Sequence, residues 1–207
     1  MTSAALRRAL TAPGPPPLPV DAARLLAELN APPRLAAHLR AVHEAAGELV
    51  DWVAATYPDV AVDAEAVLFG AATHDIGKVL HPAELSGPGA RHEPAGHDLL
   101  RAHGVEERLA RFARTHAAWD GDGVTIEDLL VSLADKVWKA KRVPDLEQRV
   151  VDRLAAASGE QAWETFLKLD DVLDRIAARA DDRLAFQSAH PVRDGQAARE
   201  GRAEEHG

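Results

Sequence analysis

The chain has 207 residues, a formal net charge of −9 and no cysteine. This length suits one domain with an appendage, and the acidic balance argues against a surface that coats nucleic acid. Because cysteine is absent, disulfides, zinc–thiolate sites and thiol catalysis are excluded, so any metal must be held by His, Asp or Glu.

The apolar residues are spread along the chain and not gathered into one long run. No segment approaches the roughly 18 consecutive apolar residues that span a bilayer, and the N-terminus carries no apolar run followed by a cleavage signal. We therefore expect a cytoplasmic protein with no membrane partner. Ala, Leu, Glu and Arg are abundant, whereas β-branched and aromatic residues are sparse, which favours helices over strands. The sequence predicts an all-α fold in a single domain.

The two ends of the chain differ in composition from its middle. Residues 11–19 hold five prolines and one glycine, which cannot continue a helix, so residues 1–20 are predicted to be a flexible, Pro-rich lead-in. Residues 186–207 are polar and rich in glycine and charge, which is typical of a disordered tail. The helical bundle is expected between them, over residues 21–185.

Capping residues and helix breakers predict the helix bounds in chain order. A short helix should run from Asp21 to near Asn30, and a long one from Pro32-Pro33 to Thr56. Asp63 should cap the next helix, and the Gly- and Pro-rich residues 82–91 should form a loop. Further helices are predicted over residues 94–103, 106–118, 126–142, 145–157 and 160–185. The last of these has a predicted packing stripe of four apolar side chains: Trp163, Phe166, Leu173 and Ile176.

The adjacent pair His74-Asp75 follows the apolar run of residues 66–72. It offers a divalent metal one nitrogen and one oxygen ligand from neighbouring backbone positions. A bridging carboxylate could also orient water for attack on phosphorus. Since His-Asp occurs often by chance, this interpretation depends on other candidate ligands in the chain.

Two of those candidates are histidines on predicted helices. His38 shares a helix face with Arg34 and Val42, because residues four apart lie on one face. His116 follows Phe112 by four residues and should point inward. The alternative for a helical histidine of this kind is a buried side chain that hydrogen-bonds a backbone carbonyl.

Two further candidates lie in a loop and on a late helix. His92 closes the Gly- and Pro-rich loop, which could bring it to the site or leave it on the surface. Asp135 lies between Val131 and Trp138, where an unpaired carboxylate would be costly. It therefore needs a metal, an arginine or several hydrogen-bond donors, and an ion pair with Lys139 is the alternative.

Four segments follow one another in an order that carries a family resemblance. They are His38-x3-Val42-x3-Ala46, the run from Ala71 to Lys78 containing His74-Asp75-Ile76-Gly77-Lys78, His92 with Gly96 and Leu99-Leu100, and Leu133-Ala134-Asp135-Lys136. Over about residues 32 to 142 the chain resembles the HD-domain superfamily of metal-dependent phosphohydrolases, which implies an HD-type helical bundle.

The resemblance also implies roles for the candidate ligands. His38, His74, Asp75 and Asp135 would form a first metal set, with Asp75 bridging and positioning water, and His92 and His116 would add a second ion. Imidazole and carboxylate ligands suit Fe, Mn, Co, Ni or Zn. We therefore expect a divalent transition metal, with two ions bound.

Two basic residues are candidates for contacting a substrate phosphate. Lys78 lies one turn beyond His74, and Arg34 lies one turn before His38. A helix-terminal lysine and a surface arginine are the alternatives. We predict hydrolysis of a small, nucleotide-like phosphomonoester or phosphodiester, in which Asp75, Lys78 and Arg34 take part in catalysis.

Two other functions are compatible with the same ligands. Some HD-domain proteins use a di-iron pair to activate oxygen and cleave C–C or C–P bonds. Others are ligand-binding domains without catalytic activity, although none of the expected metal residues is replaced in this chain. The sequence does not indicate the oligomeric state.

Overall fold

The computed structural model describes residues 2–192, and over these residues it contains helices and no strand, which confirms the all-α prediction. The helices are α1 (Ala4–Thr11), α2 (Val20–Glu28), α3 (Pro33–Thr56), α4 (Ala64–Thr73), α5 (His92–Ala102), α6 (Glu107–Ala110), α7 (Phe112–Thr115), α8 (Ile126–Val137), α9 (Pro144–Ser158), α10 (Ala162–Ala177) and α11 (Ala180–Ser188). Short 3-10 turns cover Ile76–Val79 and Pro82–Leu85. Within the described residues, no helix is both long and apolar enough to cross a membrane.

Helix starts follow local chemistry that the sequence displays. Pro33 stands at the beginning of α3, where its missing N–H costs no hydrogen bond. The Asp63 side chain accepts a hydrogen bond from the Ala66 amide at 3.0 Å and caps α4. Thr125 and Asp128 form a reciprocal capping box at the start of α8. These caps fix where the helices that carry the candidate ligands begin.

The long helix α3 is the centre of the bundle and packs against α1, α4, α8, α10 and α11. Its first turns, with Leu35 and Leu39, belong to a buried cluster shared with α1, α2 and α5. Its later turns, with Leu49 and Val53, belong to a second cluster shared with α8, α9 and α10. His38 lies in the stretch of α3 where one cluster gives way to the other.

The N-terminal segment contains a helix that the Pro-rich pattern did not predict. Leu6 and Ala9 of α1 are fully buried, which corrects the prediction of a flexible lead-in over residues 1–20. The guanidinium of Arg40 donates hydrogen bonds to the carbonyls of Ala9 at 2.8 Å and Ala12 at 3.0 Å. Residues 12–19 are non-helical, as their prolines predicted, but this arginine holds their backbone against α3.

The C-terminal region also differs from the prediction. The single helix expected over residues 160–185 is two helices, α10 and α11, and α11 runs past the predicted domain end at residue 185. On α10, Leu173 and Ile176 are buried, but Trp163 is 63% and Phe166 44% exposed. The buried face begins instead with Thr165 and Leu169, so the predicted stripe was wrong in its first two members. Most of the predicted tail, residues 193–207, lies outside the described residues.

Candidate metal centre

The six predicted ligand side chains converge in two groups of three. His38, His74 and Asp135 form the first group, and Asp75, His92 and His116 form the second. Within each group, one potential ligand atom per residue lies within 4.8 Å of the others. Five of the six residues are buried, and Asp135 is partly buried.

Asp75 stands between the two groups and presents one carboxylate oxygen to each. Its Oδ2 lies 3.2 Å from Nε2 of His38 and 3.6 Å from Nε2 of His74. Its Oδ1 lies 3.0 Å from Nε2 of His92 and 3.7 Å from Nε2 of His116. A carboxylate placed in this way could offer an oxygen to a metal in each group.

The end of α4 explains how adjacent residues come to serve different groups. α4 ends at Thr73, His74 is its C-terminal cap, and Asp75 leads into a 3-10 turn. The helix therefore ends before both residues, and Asp75 no longer has helical backbone angles. Gly77 then allows the start of α5 to come close, since a Cβ there would lie 2.0 Å from the carbonyl oxygen of His92. This contact brings His92 to Asp75.

Backbone carbonyls orient two of the imidazoles. Nδ1 of His74 lies 2.9 Å from the Ala71 carbonyl, and Nδ1 of His116 lies 3.2 Å from that of Phe112. Because a carbonyl only accepts, each Nδ1 must carry the proton and donate it. When such a ring is neutral, its Nε2 therefore keeps the lone pair, and this is the form that binds metal.

His92 is oriented by a carboxylate that sequence reasoning missed. Glu84 Oε2 accepts from Nδ1 of His92 at 2.6 Å and from its backbone amide at 3.1 Å. Glu84 belongs to the 3-10 turn Pro82–Leu85, inside the segment predicted to be only a loop. No spacing rule identifies Glu84 as a partner of His92. Metal-bound imidazoles commonly donate to a carboxylate, so an acidic residue shortly before a loop histidine was a signal that could have been used.

Burial and neighbouring charges set the protonation states of the centre. Burial lowers the pKa of His38, and burial together with His74 lowers that of His116 to about 4, so both are neutral at pH 7. Burial alone would raise the pKa of Asp135, but its hydrogen bond and charge interaction with His74 hold it below its ordinary value. The pKa of Asp75 is likewise lowered against its burial by His74 and His38. The donor set thus combines carboxylates with at least two neutral imidazoles.

Two observations test whether these residues fit metal ions. Nε2 of His92 is buried and has no hydrogen-bond partner among residues 2–192, although Asp75 Oδ1 is 3.0 Å away. Two ligand atoms each about 2.1 Å from one ion lie roughly 3.0–3.4 Å apart at right to tetrahedral angles. The Asp75–histidine separations, from 3.0 to 3.7 Å, are close to that range. The residues therefore fit divalent metal bound by nitrogen and oxygen ligands.

The predicted phosphate contacts have different outcomes. Lys78 Nζ lies 2.6 Å from Asp75 Oδ2, beside the ligands. Arg34 donates instead to the carbonyls of His190 at 2.8 Å and Ser188 at 3.2 Å. Its guanidinium therefore satisfies carbonyls at the end of α11, as basic side chains often do at helix C-termini, and this corrects the catalytic role expected for it. Asp135 pairs with Lys136 at 2.7 Å, and not with Lys139 as the alternative proposed.

A cavity of about 250 Å³ adjoins the centre. Its lining combines two candidate ligands with basic, apolar and amide side chains: His38, Asp75, Lys78, Leu85, Trp138, Lys139, Leu184 and Gln187. Trp138 both lines this cavity and belongs to the core: its ring is buried and packs edge-on against His38, with centroids 5.0 Å apart.

Comparison with known proteins agrees with this geometry. A family model described as HD domain matches residues 34–139, about half of the chain, and this range contains all six candidate ligands. No curated protein and no solved structure gives a significant match. Since the matched region holds two converging His/Asp groups that could bind divalent metal, as the family's centre does, the chain belongs to the HD domain family.

Proposed function

We propose that this protein is a metal-dependent phosphohydrolase that cleaves a small, nucleotide-like phosphomonoester or phosphodiester. The observation that carries the proposal is the position of Asp75, whose two oxygens face separate groups of ligands at 3.0–3.7 Å. The family is of a metal-dependent hydrolase type, which supports the reaction class. The cytoplasmic location suggested by the composition belongs to the same proposal.

The candidate ligands would divide between two divalent ions from the set Fe, Mn, Co, Ni and Zn. His38, His74 and Asp135 would hold the first, His92 and His116 the second, and Asp75 would serve both. When bound, such ions polarise phosphoryl oxygens and lower the pKa of water. In hydrolysis of a monoester, the water oxygen bonds to phosphorus, the ester P–O bond breaks, and the leaving oxygen gains a proton.

The chain's own groups would orient and neutralise the substrate. Lys78 lines the cavity while its ammonium contacts Asp75 Oδ2, so its charge is available to a phosphoryl oxygen beside the centre. Lys139 lines the same cavity and adds a second positive charge. Because these cations face the cavity in an acidic protein, they favour an anionic substrate there over elsewhere on the surface.

The test pairs elemental mass spectrometry of the purified protein with a phosphatase screen of nucleoside monophosphates under added Mn, Co, Ni or Mg. Metal near two equivalents together with phosphate release is the expected result. Two irons with oxygen-dependent turnover and no phosphate release would favour C–C or C–P cleavage instead. No metal and no turnover would leave a ligand-binding domain.

A lysine pair tests the substrate contact. Lys78→Gln should lower kcat/KM for the substrate found by the screen about 100-fold, comparable to the loss of one preorganised charge-stabilising donor. Lys141→Gln, which removes the same charge from an exposed position, should change it less than twofold, since exposed single charges act weakly. Equal effects of the two substitutions would contradict the role of Lys78.

A further inference from the structure

The cavity beside the metal centre has a composition that the ligands alone do not explain. It is not the largest in the protein, because a cavity of about 420 Å³ lies between α8 and α9. None of the residues lining that larger cavity is a candidate ligand, whereas His38 and Asp75 both line the smaller one. At about 250 Å³, the smaller cavity falls just below the range of about 300–1,000 Å³ that encloses drug-sized ligands.

The lining divides into charged and apolar parts. Lys78 and Lys139 supply the positive charge, and Leu85, Trp138 and Leu184 supply apolar surface. A metal centre that handled only inorganic phosphate or a very small ester would not need these apolar side chains. Their presence indicates a ligand with an anionic end and an uncharged body.

The apolar wall comes partly from α11, which lies beyond residues 34–139 of the family match. α11 is held in place by Arg183, which is 1% exposed, pairs with Glu44 of α3 at 2.7 Å and also pairs with Glu48. Leu184 follows this anchor directly, and Gln187 lies one helical turn further on, on the same face as Leu184. Although Leu184 is 40% exposed, the buried ion pair fixes its position over the cavity.

One uncharged polar side chain in the lining offers hydrogen bonds to a ligand. The Gln187 amide can both donate and accept. Trp138, which is only 3% exposed, contributes ring surface, because its indole nitrogen is itself buried. The lining would therefore suit a largely apolar leaving group that carries a hydrogen-bonding atom.

We infer that this cavity takes the leaving group of a small phosphomonoester, an uncharged and largely apolar group of at most nucleoside size, and that Leu184 and Gln187 determine which leaving group is accepted. The inference rests on the proposed function, because the phosphate end must lie at the ligands. It narrows the proposed substrate from a phosphomonoester or phosphodiester to a phosphomonoester, and it assigns specificity to a helix outside the family domain.

The test measures binding, so that it does not depend on turnover. Dissociation constants of phenylphosphonate and methylphosphonate are measured by titration calorimetry on the metal-loaded protein under argon. The variants are Leu184→Ala, Gln187→Ala and the control Leu167→Ala, which truncates a 54% exposed leucine of α10 that does not line the cavity.

The wild type should prefer phenylphosphonate roughly tenfold or more, the scale on which hydrophobic pockets discriminate. Leu184→Ala should remove most of this preference and leave methylphosphonate binding within about twofold, because only the apolar wall is lost. Gln187→Ala should weaken phenylphosphonate less than Leu184→Ala does, and Leu167→Ala should behave as the wild type.

The inference is wrong if neither phosphonate binds, if the wild type shows no preference, or if Leu184→Ala retains the preference. Failure of this inference can be distinguished from failure of the proposed function. A preference that Leu184→Ala abolishes, in a protein that releases phosphate from no monoester, would overturn the phosphohydrolase and keep the assignment of the cavity. Phosphate release from a monoester, without any preference between the two phosphonates, would support the phosphohydrolase and overturn the assignment of the cavity.

Discussion

The two ligand groups of the centre are built from different kinds of structure. His38 and Asp135 stand in the interiors of α3 and α8, and His74 directly caps α4. In the other group, His92 begins α5 after a Gly- and Pro-rich segment, and His116 is the C-terminal cap of α7, a helix of four residues. One group is positioned by long, buried helices, and the other by segments that depend on a few contacts.

This difference has a physical consequence for metal binding. Each long helix is fixed by many apolar contacts, so the first group should keep its geometry when any single contact is lost. The second group depends on the hydrogen bond from His92 to Glu84 and on the close approach of α5 to Gly77. It also depends on the packing of the Phe112 ring against Gly70, where a Cβ would lie 2.5 Å from the ring. We therefore expect the second ion to be bound less tightly and to be lost first.

The largest effect should come from removing the residue shared by both groups. Asp75→Ala should abolish metal loading and lower kcat at least roughly 10³-fold, since metal ions contribute several kcal/mol of charge stabilisation. Helical content, measured by circular dichroism, should stay near that of the wild type. Asp98→Ala, which removes an exposed carboxylate, is the control. Full activity of Asp75→Ala would show that the site is wrongly assigned.

Glu84→Gln should separate the two groups. Without the carboxylate that accepts from Nδ1 of His92, affinity for the second ion should fall about 10–100-fold, the usual cost of losing such a partner. Affinity for the first ion should not change. The control is Glu107→Gln, because Glu107 accepts from Nε2 of His97, an imidazole that belongs to neither group. Competition with a metal-chelating dye measures the two affinities separately. An equal loss of affinity for both ions would contradict the claim that Glu84 supports only the second group.

Gly77→Ala should damage the second group through the backbone. The added Cβ would lie 2.0 Å from the His92 carbonyl oxygen and 2.6 Å from the Gly96 amide nitrogen, so α5 must move. We expect a loss of about 1–3 kcal/mol in the free energy of unfolding, together with weaker binding of the second ion.

The matched control for that substitution is Gly47→Ala in α3. Its Cβ would meet only Leu68, at 3.9 Å, so this variant should be neutral or more stable by up to about 1 kcal/mol. Urea denaturation checks both variants. If Gly77→Ala were as stable as Gly47→Ala, the close approach would not be needed to place α5.

The smallest effect concerns Asp128, which caps α8 and accepts a hydrogen bond from Thr115 of α7 at 2.8 Å. Burial alone would raise the pKa of this carboxyl, but the hydrogen bonds from Thr115 and Thr125 lower it. A carboxyl whose folded pKa is depressed stabilises the protein above its unfolded pKa of about 3.9. That contribution is lost as the pH falls through the folded pKa.

Asp128→Asn should therefore lower the free energy of unfolding at pH 7 by about 1–2 kcal/mol, and the difference from the wild type should shrink toward about pH 3. Urea denaturation of chelator-treated protein measures this without interference from metal release. Asp152→Asn, at an exposed helix position, should show little difference at either pH. A difference that grows toward low pH would contradict the assigned sign.

Much of the fold could be predicted because the sequence carries its signals locally. Pro33, Asp63 and Thr125 mark helix starts by chemistry that acts within one turn. The family resemblance was visible for the same reason, since its motifs are short and occur in order. The convergence of six side chains from five separate segments could be expected only through that resemblance, because the rotation of each helix is a property of the packed bundle.

The errors arose where distant parts of the chain meet. The break between α10 and α11 has no glycine or proline, and Arg183 helps to set it by donating to the Ile176 carbonyl as well as to Glu44. Arg34 shares a helix face with His38, yet it contacts carbonyls at residues 188 and 190. Periodicity places a residue on a face, but it does not say what lies opposite.

The central claim is that Asp75 joins two separate ion sites, and metal content tests it most directly. Elemental mass spectrometry should be applied to the wild type, His38→Ala and His92→Ala, purified and loaded in parallel. We predict two equivalents for the wild type and one for each variant, with the ion bound by His92→Ala held more tightly than the one bound by His38→Ala. A wild type that holds a single equivalent, lost in His38→Ala and unchanged in His92→Ala, would contradict the claim.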